Sequence, residues 1–516
     1  MRIVKQVVVF DYGSQYTMLI VRRLREVGFP AVLVPWNIKR EKLMAYHPGA
    51  IILSGGPSSV YEEEAPTFPS YLEKMNIPIL GICYGLQLIA HHFGGKVYPS
   101  SQREYGRATL YIDKEDKLFK GLPSSFDVWM SHGDRVEVLP PGFYTISHTE
   151  GSPFAVIRNE DGTIYGVQFH PEVAHTQYGK EILSHFAGDI AGIKPSWNTG
   201  DIVSSLIEDV KKQVGNGRVI LGLSGGVDSS TLALLLHKAI GDRVIPIFVD
   251  TGLMRKNEPE EVYGAFKKLG IHIHMVDASD RFLDALKGIT DPEQKRKIIG
   301  HMFIDVFIEE AEKLKKEYGD IEFLAQGTLY PDVIESSKGE GPSHTIKTHH
   351  NVGGLPEKLG FKLIEPFRYL FKDEVRKIAQ ALGLSNNLIG RHPFPGPGLA
   401  VRILGEITEE KLAMLREADA IFVEELKRWN LYDKVWQAFA VLLPVKSVGV
   451  MGDMRAYGNV VVLRAVLSTD GMTAEVAHLP YEFLDHVMRR ITGEVKGITR
   501  VAYDITSKPP GTIEWE

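Results

Sequence analysis

The chain has 516 residues, 44% of them hydrophobic and 24% charged, with a formal net charge of −6. That length predicts about three domains of roughly 150 residues each, and the negative balance supplies no global basic field for nucleic acid. No uninterrupted apolar run is long enough to cross a bilayer, and the single cysteine excludes an intramolecular disulfide.

The opening residues run directly into a strand pattern without a cleavable signal, so a cytoplasmic chain with no membrane and no nucleic-acid partner is expected. From residue 5 to about 190, short apolar runs at Val7–Phe10, Ala50–Leu53, Pro78–Leu80 and Gly166–Phe169 alternate with helical or turn segments. This pattern predicts a sheet flanked by helices, a domain spanning 1–190. Glycine, proline and polar residues then break the pattern, marking a linker at 191–200. Strand Val219–Leu223, helix Ser229–Ala239 and strand Val244–Val249 read as the βαβ opening of a second α/β domain, expected over 201–392. After Pro393-Phe-Pro-Gly-Pro-Gly398, a helix through Ala418–Leu426, strands near Phe439–Leu443 and Val460–Ala465, and a helix at Tyr481–Arg490 predict a small α+β module over 393–516. The expected fold class is α/β, two successive α/β domains followed by this smaller one.

The lone cysteine, Cys83, lies in Gly81-x-Cys83-x-Gly85, where a predicted strand turns into a helix. Flanking glycines let the backbone bend tightly there, and the following helix directs its amides at the sulfur. His170 and Glu172 stand two positions apart at the end of another strand, so in extended backbone they share a face. Cysteine, histidine and carboxylate are the nucleophile, general base and orienting group that attack on an amide carbonyl requires. Ser54-Gly55-Gly56-Pro57 is either an ordinary turn or, with the amide of Tyr84, an oxyanion hole.

These residues resemble the class I glutamine amidotransferases, whose elbow Gly-x-Cys-x-Gly-x-Gln and His-Pro-Glu motif are both intact here. The resemblance covers roughly residues 5–190. It implies that Cys83 attacks the side-chain amide of glutamine and releases ammonia, and that Gln87, Ser131 and His132 help to hold that glutamine.

A second centre lies in Ser224-Gly225-Gly226-Val227-Asp228-Ser229-Ser230, at a strand-to-helix junction where small residues let amides and hydroxyls wrap an anion. It lacks the Lys-Ser/Thr ending of a Walker A loop. The sequence resembles the PP-loop of N-type ATP pyrophosphatases, which implies cleavage of ATP between its α and β phosphates. Asp250, Gln326, Gly327 and Thr328 are expected to complete the ATP site, and Asp228 is the expected Mg²⁺ ligand because a hard cation prefers carboxylate and phosphate oxygens. Asp332, Glu335 and Lys347 are expected on a nucleotide-facing loop with a lid, for which the glycine- and serine-rich stretch 336–342 also fits a plain solvated loop. His344, His349 and His350 lack a supporting ligand pattern, so no zinc is expected, nor any flavin or nicotinamide.

A class I triad followed by a PP-loop resembles the GMP synthetase family, as do Arg391–Leu399, Gly449–Asp453, Lys295–Gly300 and the closing stretch Thr506–Glu516. The resemblance implies glutamine, xanthosine monophosphate (XMP) and ATP as substrates, and a homodimer formed through the last domain. It also implies XMP binding by Arg296, Pro395, Gly396, Pro397, Gln437, Lys508 and Glu514, positions for which solvated charges and a proline-stiffened loop are the plainer readings. A related amidotransferase with another acceptor, a tRNA base among them, and a non-catalytic glutamine or nucleotide sensor remain as rival readings.

Overall fold

A computed structural model describes residues 5–337, 360–451, 454–468, 471 and 473–516. The described chain divides into two compact units, Met1–Ile202 and Val203–Glu516.

The first unit is built on a nine-stranded sheet. Its strands are β1 (Gln6–Asp11), β2 (Ala31–Pro35), β3 (Pro48–Leu53), β4 (Ile79–Ile82), β5 (Lys96–Ile112), β6 (Ser125–Val138), β7 (Phe143–His148), β8 (Val156–Asn159) and β9 (Ile164–Val167). They are ordered β2-β1-β3-β4-β9-β8-β7-β5-β6. The pairs from β2 to β9 are parallel, and those from β9 through β8 and β7 to β5 and β6 are antiparallel. All residues of β3 and β4 are buried, as strands covered on both faces must be. That is why Ala50–Leu53 and Ile79–Leu80 read as unbroken apolar runs instead of alternating ones.

The second unit carries a five-stranded parallel sheet. Strands β10 (Arg218–Gly222), β11 (Val244–Asp250), β12 (His274–Asp277), β13 (Ile321–Ala325) and β14 (Lys362–Ile364) are ordered β12-β11-β10-β13-β14. The chain leaves β10 toward β11 on one side and returns to β13 on the other. The carboxyl end of β10 is therefore the topological switch point, where open α/β sheets bind ligands.

Residues after 393 add the long hairpin β15 (Gln437–Met451) and β16 (Met454–Leu467), the short β17 (Glu475–Val476), and β18 (Ile498–Tyr503), which pairs in parallel with β16. Helices Glu409–Arg428 and Tyr481–Glu494 cover this sheet. One apolar cluster runs from Ile220, Phe307 and Leu324 to Leu415, Phe422, Leu442 and Phe483, so the stretches 201–392 and 393–516 share a core within a single unit.

Candidate functional site

Cys83 follows β4 directly and precedes the helix Tyr84–His92. Its own backbone is the strained point, with φ 52° and ψ −104°, a region a non-glycine residue occupies at a cost of roughly 1–3 kcal/mol. The flanking glycines serve a different purpose from the tight bend expected of them. A Cβ on Gly81 would sit 2.4 Å from the carbonyl of Gly85, and one on Gly85 would sit 2.3 Å from the carbonyl oxygen of Leu53. Close packing of the helix against β3 and β4 requires both, while the turn itself is made at the cysteine.

Around the sulfur, His170 Nδ1 lies 2.7 Å from Glu172 Oε1, both side chains being almost wholly buried. Burial opposes a charged imidazole, but the Glu172 carboxylate and the adjacent Cys83 outweigh it and push His170 up to about 11. The Thr176 hydroxyl donates to the His170 carbonyl at 2.6 Å, and the Tyr16 ring meets the imidazole edge-on. A Cβ on Gly55 would lie 3.1 Å from His170 Cε1, and one on Gly56 would lie 3.2 Å from Tyr84 Cδ1. The Gly55-Gly56 turn is thus set between the imidazole and the elbow. Ser54 fixes that turn, its hydroxyl bonding Tyr12 N, Thr17 Oγ1 and Gly55 O.

The Cys83 thiol contacts the Ser131 carbonyl at 3.7 Å. The Gln87 amide donates to the main-chain oxygen of Asp134 at 3.0 Å, and His132 Nδ1 meets the same oxygen at 3.0 Å. These two predicted side chains brace β6 at Asp134. Two residues escaped the sequence reading. The Gln168 amide reaches the Cys83 sulfur at 3.8 Å, and Glu104 stands 3.3 Å from His132 Nε2. Burial works against the Glu104 carboxylate, yet His132, Thr149 and the Gly151 amide together hold it below the usual carboxylate range. Gln168 directly follows β9, at the start of the bend that leads to His170.

In the second unit, Ser224–Gly226 connects β10 to the helix Val227–Ile240. The hydroxyls of Ser224 and Ser229 are 3.0 Å apart, Ser229 accepts from Ser224 N at 3.2 Å, and Gly225 takes φ +75°. No side chain caps this helix at Gly226, so its first amides face the loop. Ser230 is buried behind it. Asp228 is raised chiefly by burial and further by Asp332, against the pull of Lys372, 3.8 Å away, and Arg376. Its Oδ1 is buried without a hydrogen-bond partner, an oxygen suited to a hard cation.

The Gln326–Thr328 stretch follows β13 and lies against this loop, since a Cβ on Gly327 would stand 3.9 Å from Asp228 Cβ. Thr328 donates to Glu365 at 2.6 Å. Asp250 ends β11, accepts from the Gly252 amide at 2.8 Å, and is raised mainly by burial. Instead of continuing as a loop, the chain enters a helix at Tyr330–Ser337 that carries Asp332 and Glu335. The Asp332 carboxylate accepts from Leu329 N at 2.9 Å, as a helix start favours. Lys347, His344, His349 and His350 fall outside the described residues.

The residues expected to hold an acceptor nucleotide come together from three distant segments. Gln437 Nε2 donates to Glu514 Oε1 at 2.9 Å and to Pro393 O at 3.1 Å. Glu514 also receives a two-pronged contact from Arg402, 3.0 Å from Nε and 2.8 Å from Nη2. The Pro395–Pro397 turn closes through Gly398 N to Pro395 O; Gly398 takes φ +64°, and a Cβ there would also strike Leu253 O. Arg296 bonds the main-chain oxygen of Glu516. Lys508 donates to Gly471 O at 2.8 Å, away from Glu514 in its hydrogen bonding. Arg402 was not singled out by sequence, though a fully buried arginine needs such a carboxylate.

Comparison with known proteins agrees with both centres. The model of the class-I glutamine amidotransferases matches residues 8–190, that of NAD synthase residues 199–299, and that of the GMP synthase C terminal domain residues 424–515. The glutamine-hydrolysing GMP synthase of Thermosipho melanesiensis is 65% identical over 513 residues, covering 99% of this chain and 100% of that protein. The chain belongs to the glutamine-hydrolysing GMP synthase family. Family members from Thermosipho africanus and Aquifex aeolicus are 63% and 56% identical, each aligned over 99% of both chains.

Proposed function

We propose that this protein is a glutamine-dependent ligase that aminates XMP to GMP at the expense of ATP. The observation that carries the reading is the pairing, in one chain of this family, of the buried Cys83-His170-Glu172 group with the loop Ser224–Ser230 at the switch point of β10.

His170, held charged by Glu172 and Cys83, already carries the thiol's proton as the sulfur of Cys83 adds to the glutamine side-chain carbonyl, while Glu172 holds the ring in place. The amides of Gly56 and Tyr84 receive the developing oxyanion. His170 returns the proton to the leaving ammonia, and water then hydrolyses the thioester to glutamate. Gln87 and His132 act on the glutamine pocket through the Asp134 carbonyl that both engage, with Ser131 beside the sulfur.

In the second unit the loop amides and hydroxyls hold the pyrophosphate of ATP, with Asp250 on the adenosine side and Gln326–Thr328 across from Asp228. The XMP 2-oxo oxygen attacks the α-phosphorus and pyrophosphate leaves; ammonia then adds at purine carbon 2 and AMP departs with the oxygen. Asp228, whose free oxygen fits the role, would hold a Mg²⁺ that neutralises phosphate charge. Lys372, 3.8 Å from Asp228, would adjust its distance from that carboxylate as the cation binds. The XMP is held by Gln437, Glu514 and the Pro395–Pro397 turn, with Arg296 and Lys508 as phosphate partners.

The assembly we propose is a homodimer through residues 393–516. Val448, Val450 and Tyr457 share one face of the β15–β16 hairpin, where Val448 pairs with Tyr457, and are 48%, 76% and 69% exposed, an apolar patch that a second copy would cover. Among the described residues no helix is long and apolar enough to cross a membrane, in keeping with a cytoplasmic location.

The deciding assay follows XMP conversion to GMP with ATP, Mg²⁺ and either glutamine or ammonia. GMP is expected from both nitrogen sources, and its absence from both overturns the reading.

A further inference from the structure

Lys295 has no exposed surface, although it stands in the charged stretch Lys295-Arg-Lys297 near the start of the helix Pro292–Tyr318. A buried ammonium persists only where acceptors replace its water. Here it has three: Ile403 O at 2.7 Å, Ala400 O at 3.3 Å and Glu516 Oε2 at 2.6 Å. Glu516 is further engaged through its other carboxylate oxygen by Gly405 N at 3.3 Å, and through its main-chain oxygen by Arg296. Each partner of this ammonium belongs to a segment that the proposed acceptor site uses. Ala400 lies in the turn Gly398–Arg402, which directly follows Pro395–Pro397 and contains Arg402. Glu516 stands two residues beyond Glu514, which Arg402 and Gln437 hold. Arg296 is the neighbour of Lys295 itself.

We propose that the buried Lys295–Glu516 ion pair is a latch that positions Glu514, Arg402 and the Pro395–Pro397 turn for the acceptor nucleotide, so that Lys295 and Glu516 act as positioning residues for XMP without touching it. The inference rests on the proposed placement of XMP at Glu514 and Gln437. The physical argument is one of convergence. The closing stretch ends beside the helix that carries Arg296, and a single ammonium ties that stretch to the helix and to the turn. Only Trp515 separates Glu514 from Glu516, so anchoring the carboxylate and main chain of Glu516 restricts where Glu514 can sit. Ion-pair replacement elsewhere in the unit would act on stability; here it acts on the precision of a binding surface.

The test uses the full-length protein in ammonia-dependent GMP formation, with Glu516→Gln, Lys295→Met, the double variant and Glu514→Gln. Glu516→Gln is expected to raise the KM for XMP about tenfold, as loss of one charge-assisted hydrogen bond would, while the KM for ATP and glutamine hydrolysis stay within about twofold. Lys295→Met should do at least as much, and the double variant should be no worse than the poorer single one, because the pair acts as a unit. An unchanged KM for XMP in Glu516→Gln overturns the latch. So does a rise in both KM values together with a lowered thermal midpoint, which marks a purely structural pair. If Glu514→Gln leaves the KM for XMP unaltered, the placement of XMP fails first and the latch with it. If Glu514→Gln raises that KM while Glu516→Gln does not, the placement stands and the latch alone is refuted.

Discussion

Glu172 Oε1 lies 2.7 Å from His170 Nδ1, with 1% and 4% of the two side chains exposed. That pair decides the charge beside Cys83. With Glu172 replaced by Gln, the imidazole loses its main positive cause, and only Cys83 is left to oppose the depressing effect of burial. We expect His170 to titrate well below its native value of about 11 and glutamine hydrolysis to fall by at least about 100-fold, in line with loss of the fixed imidazolium that pairs with the sulfur and returns a proton to ammonia. Ammonia-dependent GMP formation should be untouched. Imidazole nitrogen NMR and a two-source assay check both. The sign for stability follows from the raised value: the contribution of this pair is fully present below about pH 6.5, the unfolded value, and is lost as pH rises through about 11. The stability gap between wild type and Glu172→Gln should therefore narrow in strongly alkaline buffer.

Cys83→Ala removes the nucleophile without disturbing the second unit. Glutamine-dependent synthesis should disappear and ammonia-dependent synthesis remain, whereas Asp228→Asn should lower both by about 100-fold or more, as loss of a group aimed at phosphate charge does. Steady-state rates with each nitrogen source distinguish the two variants. Equal losses from both sources in Cys83→Ala would refute separate centres.

Gly85 and Gly300 offer a contrast within one chain. A Cβ at Gly85 meets Leu53 O at 2.3 Å, whereas one at Gly300, inside the helix Pro292–Tyr318, meets nothing within 4 Å. Gly85→Ala is expected to cost about 1–3 kcal/mol by overpacking and to displace the Cys83 elbow. Gly300→Ala should instead stabilise by roughly 0.4–1 kcal/mol through the unfolded chain and helix propensity. Thermal midpoints moving in opposite directions are the expected result; a neutral Gly85→Ala would mean that the elbow packing is looser than described.

Much of this was readable from the chain. The strands and the PP-loop helix were signalled by apolar runs and glycine placement, because central parallel strands and a strand-to-helix anion loop each demand residues that little else requires. His170 and Glu172 do meet, but not through the strand spacing that suggested them: β9 ends at Val167, and the two side chains are brought together by the bend and turn that follow it. What sequence could not assemble was contact across long separations. Arg402 reaches Glu514 over 112 residues, and Lys295 reaches Glu516 over 221. Lys295 did leave a trace: with Ile299 and Val306 it lies on the buried stripe of its helix, a cation at an apolar position. The roles expected of the Cys83-flanking glycines were misassigned for a simpler reason, since sequence shows that glycine is needed but not whether the need is conformational or spatial.

His392 supplies a last test, at acid pH. It stacks on Tyr432 with ring centres 3.8 Å apart, accepts from Ala438 N through Nδ1 at 3.2 Å, and meets Tyr432 O through Nε2 at 3.0 Å. Those contacts define a neutral ring with its proton on Nε2. Burial is the largest cause of its depressed value of about 4, which nearby Arg255 lowers further. Because the folded value lies below the unfolded one, the stabilising contribution is present above about pH 6.5 and is lost as pH falls toward 4. His392→Asn should be the less stable protein at pH 7.5, yet its disadvantage should shrink between pH 6.5 and 4 by up to about 1.4 kcal/mol per pH unit. Urea midpoints of the two proteins, measured side by side across that window, check the sign directly. A gap that widens on acidification would place a proton on His392 in the folded state and contradict the hydrogen bond from Ala438.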